Sequence, residues 1–162
     1  MKVVDPHKNI SRIVVDEDIE KVLQDADGML PIANKPLGIH SGFYAIAHQQ
    51  VEKDRPLRFF VINPMMPEFR GWRSVVVINP VIMRHTNSLV YDKEGCASFC
   101  RMPSISVGRW HKCEVEFSAL EFDQNRKPFI GRRRTLNLSG RIARIFQHEV
   151  DHLDAKYIYD DK

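Results

Sequence analysis

The spacing of apolar positions changes along the chain, and each change predicts an element. Near the C-terminus, Ile142, Ile145, Phe146, Val150 and Leu153 recur at helical spacing behind Ser139, a good N-cap residue. Lys112–Phe122 alternates instead: Cys113, Val115, Phe117 and Ala119 fall on one face, Glu114, Glu116 and Ser118 on the other. Arg58–Ile62, Ser74–Ile78 and Val81–Met83 read as further strands, and 128–138 as another, entered through the turn Asp123-Gln124-Asn125. Asp16 predicts the cap of a helix over Glu17–Asp25, with Ile19, Val22, Leu23 and Ala26 on its apolar face and Gly28 ending it. Pro31, Pro36 and Gly38 predict a loop over 30–42, and 43–51 reads as a short strand or buried turn. Strands do not alternate regularly with helices, so the order argues α+β rather than a doubly wound parallel sheet.

Composition narrows the class. The chain has 162 residues, which predicts one domain spanning 1–162. Hydrophobic residues make up 43% and charged residues 28%, the balance of a soluble globular chain. A net charge of +3 is too small to argue for specific DNA binding. No apolar run approaches the roughly 20 residues of a membrane span. The start, Met1 to Pro6, offers no apolar signal core, which predicts a cytoplasmic protein. A mitochondrial or plastid member without its transit peptide reads the same way. Three cysteines in no scaffold spacing predict a reducing compartment.

The chemistry concentrates in Gln147-His148-Glu149-Val150-Asp151-His152-Leu153, which contains H-E-x-x-H. On a helix the two histidines share one face, about 6 Å apart at Cβ. They can hold one metal ion, and a Glu after the first can reach a water upon it. A catalytic site of this kind needs a third ligand. Asp154, Asp160 and Asp161 lie downstream and Cys96 upstream, and composition does not choose among them. Asp151 suits orienting a metal-site histidine or capping local backbone, whereas Cys100 and Cys113 suit packing.

Context does choose. Glu94-Gly95-Cys96-Ala97-Ser98, followed by the H-E-x-x-H stretch, resembles the second and third signature motifs of the peptide deformylase family, E-G-C-x-S and Q-H-E-x-D-H-L. Phe43 to Gln50 resembles the first, G-x-G-x-A-A-x-Q, in part. It keeps Ala47 and Gln50, and replaces the glycines by Phe43 and Ala45 and the second alanine by His48.

This resemblance implies a fold of antiparallel sheets around a central metal-binding helix. It implies removal of the N-formyl group from the first methionine of nascent polypeptides. It names Cys96, His148 and His152 as ligands of ferrous iron, with zinc, nickel or cobalt as substitutes. Glu149 becomes the general acid/base for a metal-activated hydroxide attacking the formyl carbon. Gln50 and the Ala97 N–H become donors to the formyl oxygen.

Further roles follow from the same resemblance. Glu94 is expected to hold the Cys96 loop, with Arg109 as its partner. Phe43, Tyr44, Ala45, Glu94, Arg141 and Ile145 are expected along the substrate cleft, and His48 in the core. Arg141 stands where relatives carry an apolar residue, which raises a shifted N-formyl or N-acyl substrate as an alternative. A non-catalytic binder of formylated N-termini is another. Arg132-Arg133-Arg134 reads as a solvated hairpin face, or as a contact with the ribosome surface.

Overall fold

The computed structural model describes residues 1–33, 44–72 and 74–160, so Phe43 and most of the expected 30–42 loop lie outside the described residues. Among the described residues two α-helices accompany eight strands. These are α1 (Ile19–Ala33), β1 (Ala45–Ala47), β2 (Phe59–Ile62), β3 (Val76–His85), β4 (Leu89–Glu94), β5 (Ile105–Trp110), β6 (Lys112–Phe122), β7 (Pro128–Ile130), β8 (Arg134–Ser139) and α2 (Gly140–Leu153). One antiparallel sheet runs β1-β2-β3-β6-β7, with β8 also paired to β6, and β4 with β5 forms a separate antiparallel ribbon. The architecture is α+β, with antiparallel sheets and two helices, as expected.

Strand β2 explains the layering. Its run Phe59-Phe60-Val61-Ile62 has no polar position because both faces are covered. Phe60 and Ile62 join the core beneath α2, with Val115, Phe117, Phe146, Val150 and Leu153. Phe59 and Val61 join the core beneath α1, with Val22, Ala26 and Met29. The expected alternation of β6 holds from Lys112 to Phe117 and then ends, because Ser118, Ala119 and Leu120 are all buried, Leu120 in the core beneath α1.

Several elements differ from the sequence expectation. Helix α1 starts later than Asp16, which sits in a 3₁₀ turn, and it runs through Gly28 to Ala33. The packing of Met29 and Ala33 in the core outweighs the helix-breaking tendencies of Gly28 and Pro31. The expected strands 74–78 and 81–83 are one strand, bent at Asn79, whose φ is +51°. Asn79 tolerates that conformation, and its side chain accepts from the Val14 N–H and donates to the Val14 carbonyl, both at 2.8 Å. The 128–138 strand is two, β7 and β8. Ser139 occupies the N-cap position of α2 without a side-chain capping bond.

Arg133 pairs with Glu116 and Arg134 with Glu121, so two of the three clustered arginines are engaged by the hairpin's own glutamates.

Candidate metal centre

Helix α2 presents His148 and His152 on one face, as their spacing requires, with ring centroids 4.7 Å apart. Cys96 comes from the turn after β4. Its backbone is extended, and a 3₁₀ turn over Ala97–Phe99 follows at once. Cys96 Sγ lies 3.3 Å from His152 Nε2, and the two Nε2 atoms lie 3.1 Å apart. All three ligand atoms fall within 4.8 Å of one another. Tetrahedral bonds of about 2.0–2.3 Å would place such donors about 3.3–3.6 Å apart. The donor set is a thiol and two imidazoles at nearly that spacing, and it fits a divalent transition metal.

The environment sets the tautomer of His148. Its Nδ1–H donates to Glu94 Oε2 at 2.9 Å, so that once Nε2 is deprotonated its lone pair faces Cys96 and His152. Glu94 is itself held on both oxygens. Arg109 donates through Nε (3.1 Å) and Nη2 (3.0 Å), and Arg144 donates to Oε1 at 2.6 Å. Burial raises the Glu94 carboxyl pKa, but the bonds from His148 and Arg109 outweigh it and lower it to about 2. Burial lowers the His148 pKa, yet its bonds to Cys96 and Glu94 raise it to about 10. His152 shifts the other way, well below its ordinary value, through burial and the neighbouring charge of His148. Loading a cation requires His148 Nε2 to release its proton.

Glu149 is 4% exposed, and its Oε2 has no hydrogen-bond partner among the described residues. Burial is the largest influence on it and raises its pKa to about 7. Gln50 Oε1 accepts the Ala47 N–H at 2.9 Å, which fixes the amide so that Nε2 points to Ser98 Oγ (3.0 Å) and Cys96 Sγ (3.8 Å). A cavity of about 460 Å³ opens over these groups. Tyr44, Ala45, Gln50, Glu94, Ala97, Arg141, Ile145 and Glu149 all line it. Arg141 donates to the Tyr44 hydroxyl at 3.0 Å, with its guanidinium 5.8 Å from the ring centre.

Two residues sit otherwise than expected. Asp151 pairs with Arg109, across from α2, rather than with a histidine. Cys100 is exposed along the cavity wall, while Cys113 is buried as expected. His48 is fully buried, as expected. It stacks on Phe59, bonds Asp25 through Nε2, and accepts the Leu57 N–H at Nδ1. Arg144 was missed as a partner of Glu94. It stands one helical turn before His148, so an acid bonded to that histidine also meets the arginine.

Known proteins match this arrangement along nearly the whole chain. The family model described as polypeptide deformylase matches residues 5–162. A peptide deformylase of Thermus thermophilus is 32% identical over 161 residues, covering 97% of this chain and 72% of the relative. The crystal structure of a deformylase from a Vibrio parahaemolyticus bacteriophage, in complex with actinonin, superposes with a TM-score of 0.68. It is 28% identical, and the match covers 98% of this chain and 100% of that one. A plant peptide deformylase structure gives 0.73 at 26% identity, covering 99% and 79%.

Proposed function

The chain belongs to the polypeptide deformylase family, and from that membership we propose that Cys96, His148 and His152 hold the catalytic metal for removing the formyl group from the first methionine of nascent polypeptides. The convergence of those three ligand atoms beside buried Glu149, on the wall of one cavity, carries the reading. Ferrous iron is the proposed native metal, with zinc, nickel or cobalt able to replace it. A cation in this set would polarise the formyl carbonyl and lower the pKa of a water from about 15.7 toward 7.

The chain's own groups do the rest. Glu149 accepts the proton of the attacking water and delivers it to the departing amine, and a carboxyl with a pKa of about 7 suits both transfers near neutrality. Gln50 Nε2 and the Ala97 N–H donate to the formyl oxygen as its charge grows. The Glu94–Arg109–Arg144 cluster fixes His148 so that its lone pair stays aimed at the ligand pocket. Tyr44 engages the Arg141 guanidinium, so the cavity wall there presents an aromatic ring and an arginine stem. That favours an apolar first side chain, methionine, over the shifted-substrate alternative. A non-catalytic binder has no use for an acid buried with an unpartnered oxygen beside the ligands.

Turnover of formyl-Met-Ala by protein purified without oxygen, with metal content measured in parallel, tests the proposal. Glu149→Ala is expected to keep its metal and lose roughly 10²–10⁴ in kcat. Full turnover in that variant would remove Glu149 from its role. Faster turnover of formyl dipeptides with polar first residues would revive the shifted-substrate reading.

A further inference from the structure

The two metal-site histidines are held in different ways. His148 has a carboxylate on its second nitrogen, the usual arrangement for a ligating imidazole. His152 has no carboxylate partner: its Nδ1 has at most a marginal backbone hydrogen bond with Lys156, the least of the influences acting on it. Ring contacts add to that weak support. Tyr157 packs against His152 with centroids 5.2 Å apart and planes at 61°.

Tyr157 is unusually well fixed for a residue just past a helix end. Ala155, with φ +57°, turns the chain back beneath α2. The Tyr157 hydroxyl accepts from Gln49 Nε2 (2.8 Å) and from the His7 N–H (3.0 Å), and donates to the His7 carbonyl (3.0 Å). Its ring meets Phe99 edge-on at 5.4 Å. Gln49 directly precedes Gln50 in one 3₁₀ turn, and Phe99 closes the 3₁₀ turn that follows Cys96. One buried side chain therefore touches His152 and both turns that carry the other chemistry.

We infer that Tyr157 is a positioning residue: its ring orients His152 and meets the Cys96 turn through Phe99, and its hydroxyl ties that ring to the Gln50 turn through Gln49. The inference rests on the metal-centre reading above, and its consequence is metal affinity. The ring restrains rotation of an imidazole that lacks a carboxylate partner. The hydroxyl bonds keep that ring in place.

The test is titration of the full chain with Co²⁺ alone, in competition with a chelator, while following the visible cobalt absorption. Wild-type protein that binds no cobalt would overturn both this inference and the metal centre. Given wild-type binding, Tyr157→Leu is expected to lower affinity about tenfold or more and to shift the absorption, the size typical of lost support for a ligand. Tyr157→Phe keeps the ring and is expected to lose only about threefold. Val22→Ala, in the core beneath α1, controls for general loosening and should leave cobalt affinity unchanged. Tyr157→Leu at wild-type affinity, or Tyr157→Phe no better than Tyr157→Leu, would overturn the inference. So would an equal loss in Val22→Ala. If Tyr157→Leu does not fold, Tyr157→Phe decides alone: about threefold weaker cobalt binding supports the role, and unchanged binding ends it.

Discussion

Glu94 shows how one residue can serve both stability and chemistry. It is buried among Arg109, Arg144 and His148, and each of its oxygens has two partners. Glu94→Gln keeps the shape and removes the charge, leaving two arginines without their shared anion. Removing one partner of a buried pair costs about 3–5 kcal/mol, so denaturation of the metal-free variant should show a loss near that size. Metal affinity should also fall by about 10–100-fold, measured by chelator competition. The Glu94–Arg109 pairing was legible in the sequence, through the family's motif and a nearby cation. The second arginine and the Asp151–Arg109 pair were not, because both depend on how the β4–β5 ribbon lies across α2. Tyr157 escaped for a similar reason: its partners His7 and Gln49 are remote in sequence, and no motif links them.

Among the elements, α1 and the end of α2 carry the clearest consequences. Ala155 holds a left-handed conformation that costs a non-glycine residue about 1–2 kcal/mol, and the position after a helix end favours glycine. Ala155→Gly loses one buried methyl, so a net gain of about 0.5–1 kcal/mol is expected, read as a raised thermal midpoint. Helix α1 supplies Asp25 to buried His48, whose pKa is lowered chiefly by burial, with Asp25 pulling the other way. A lowered histidine means the unfolded chain takes up a proton that the fold refuses once pH drops below about 6.5. His48 therefore stabilises fully above that pH and less as pH falls through and below it. The stability difference between wild type and His48→Gln should shrink from pH 7.5 to 5.5, and a constant difference would contradict the assignment. The α2 and β6 periods were legible because each buries one face. Strand β4 was not, because Leu89 to Lys93 are exposed on both faces and leave no alternation to read.

At the scale of the molecule, the β2–β3 region is shared by two cores, and the one beneath α2 includes Val150 and Leu153 of the helix that carries His148 and His152. A cation that binds the folded chain alone adds about 2.7 kcal/mol at a hundred times its Kd. For a domain of this size that corresponds to a rise of about 5–10 °C in Tm, and excess chelator should abolish it. No shift with cobalt or zinc would argue against a preformed site. The α+β class and the order of the chemical motifs were legible in the chain. The strand order β1-β2-β3-β6-β7 was not, since pairing distant strands leaves no local signature.

The first and last described segments meet beneath the site. Val4 bonds Gln50, His7 bonds Tyr157, and Ser11 bonds Leu153 through its N–H. Translation delivers those partners far apart in time, since roughly 140 residues or more separate His7 from Tyr157 and Ser11 from Leu153. The clasp around His152 therefore closes only after the ribosome has threaded α2 and Tyr157 through its tunnel. Until Tyr157 emerges, the nascent chain has no means of fastening its early residues beneath the histidine pair.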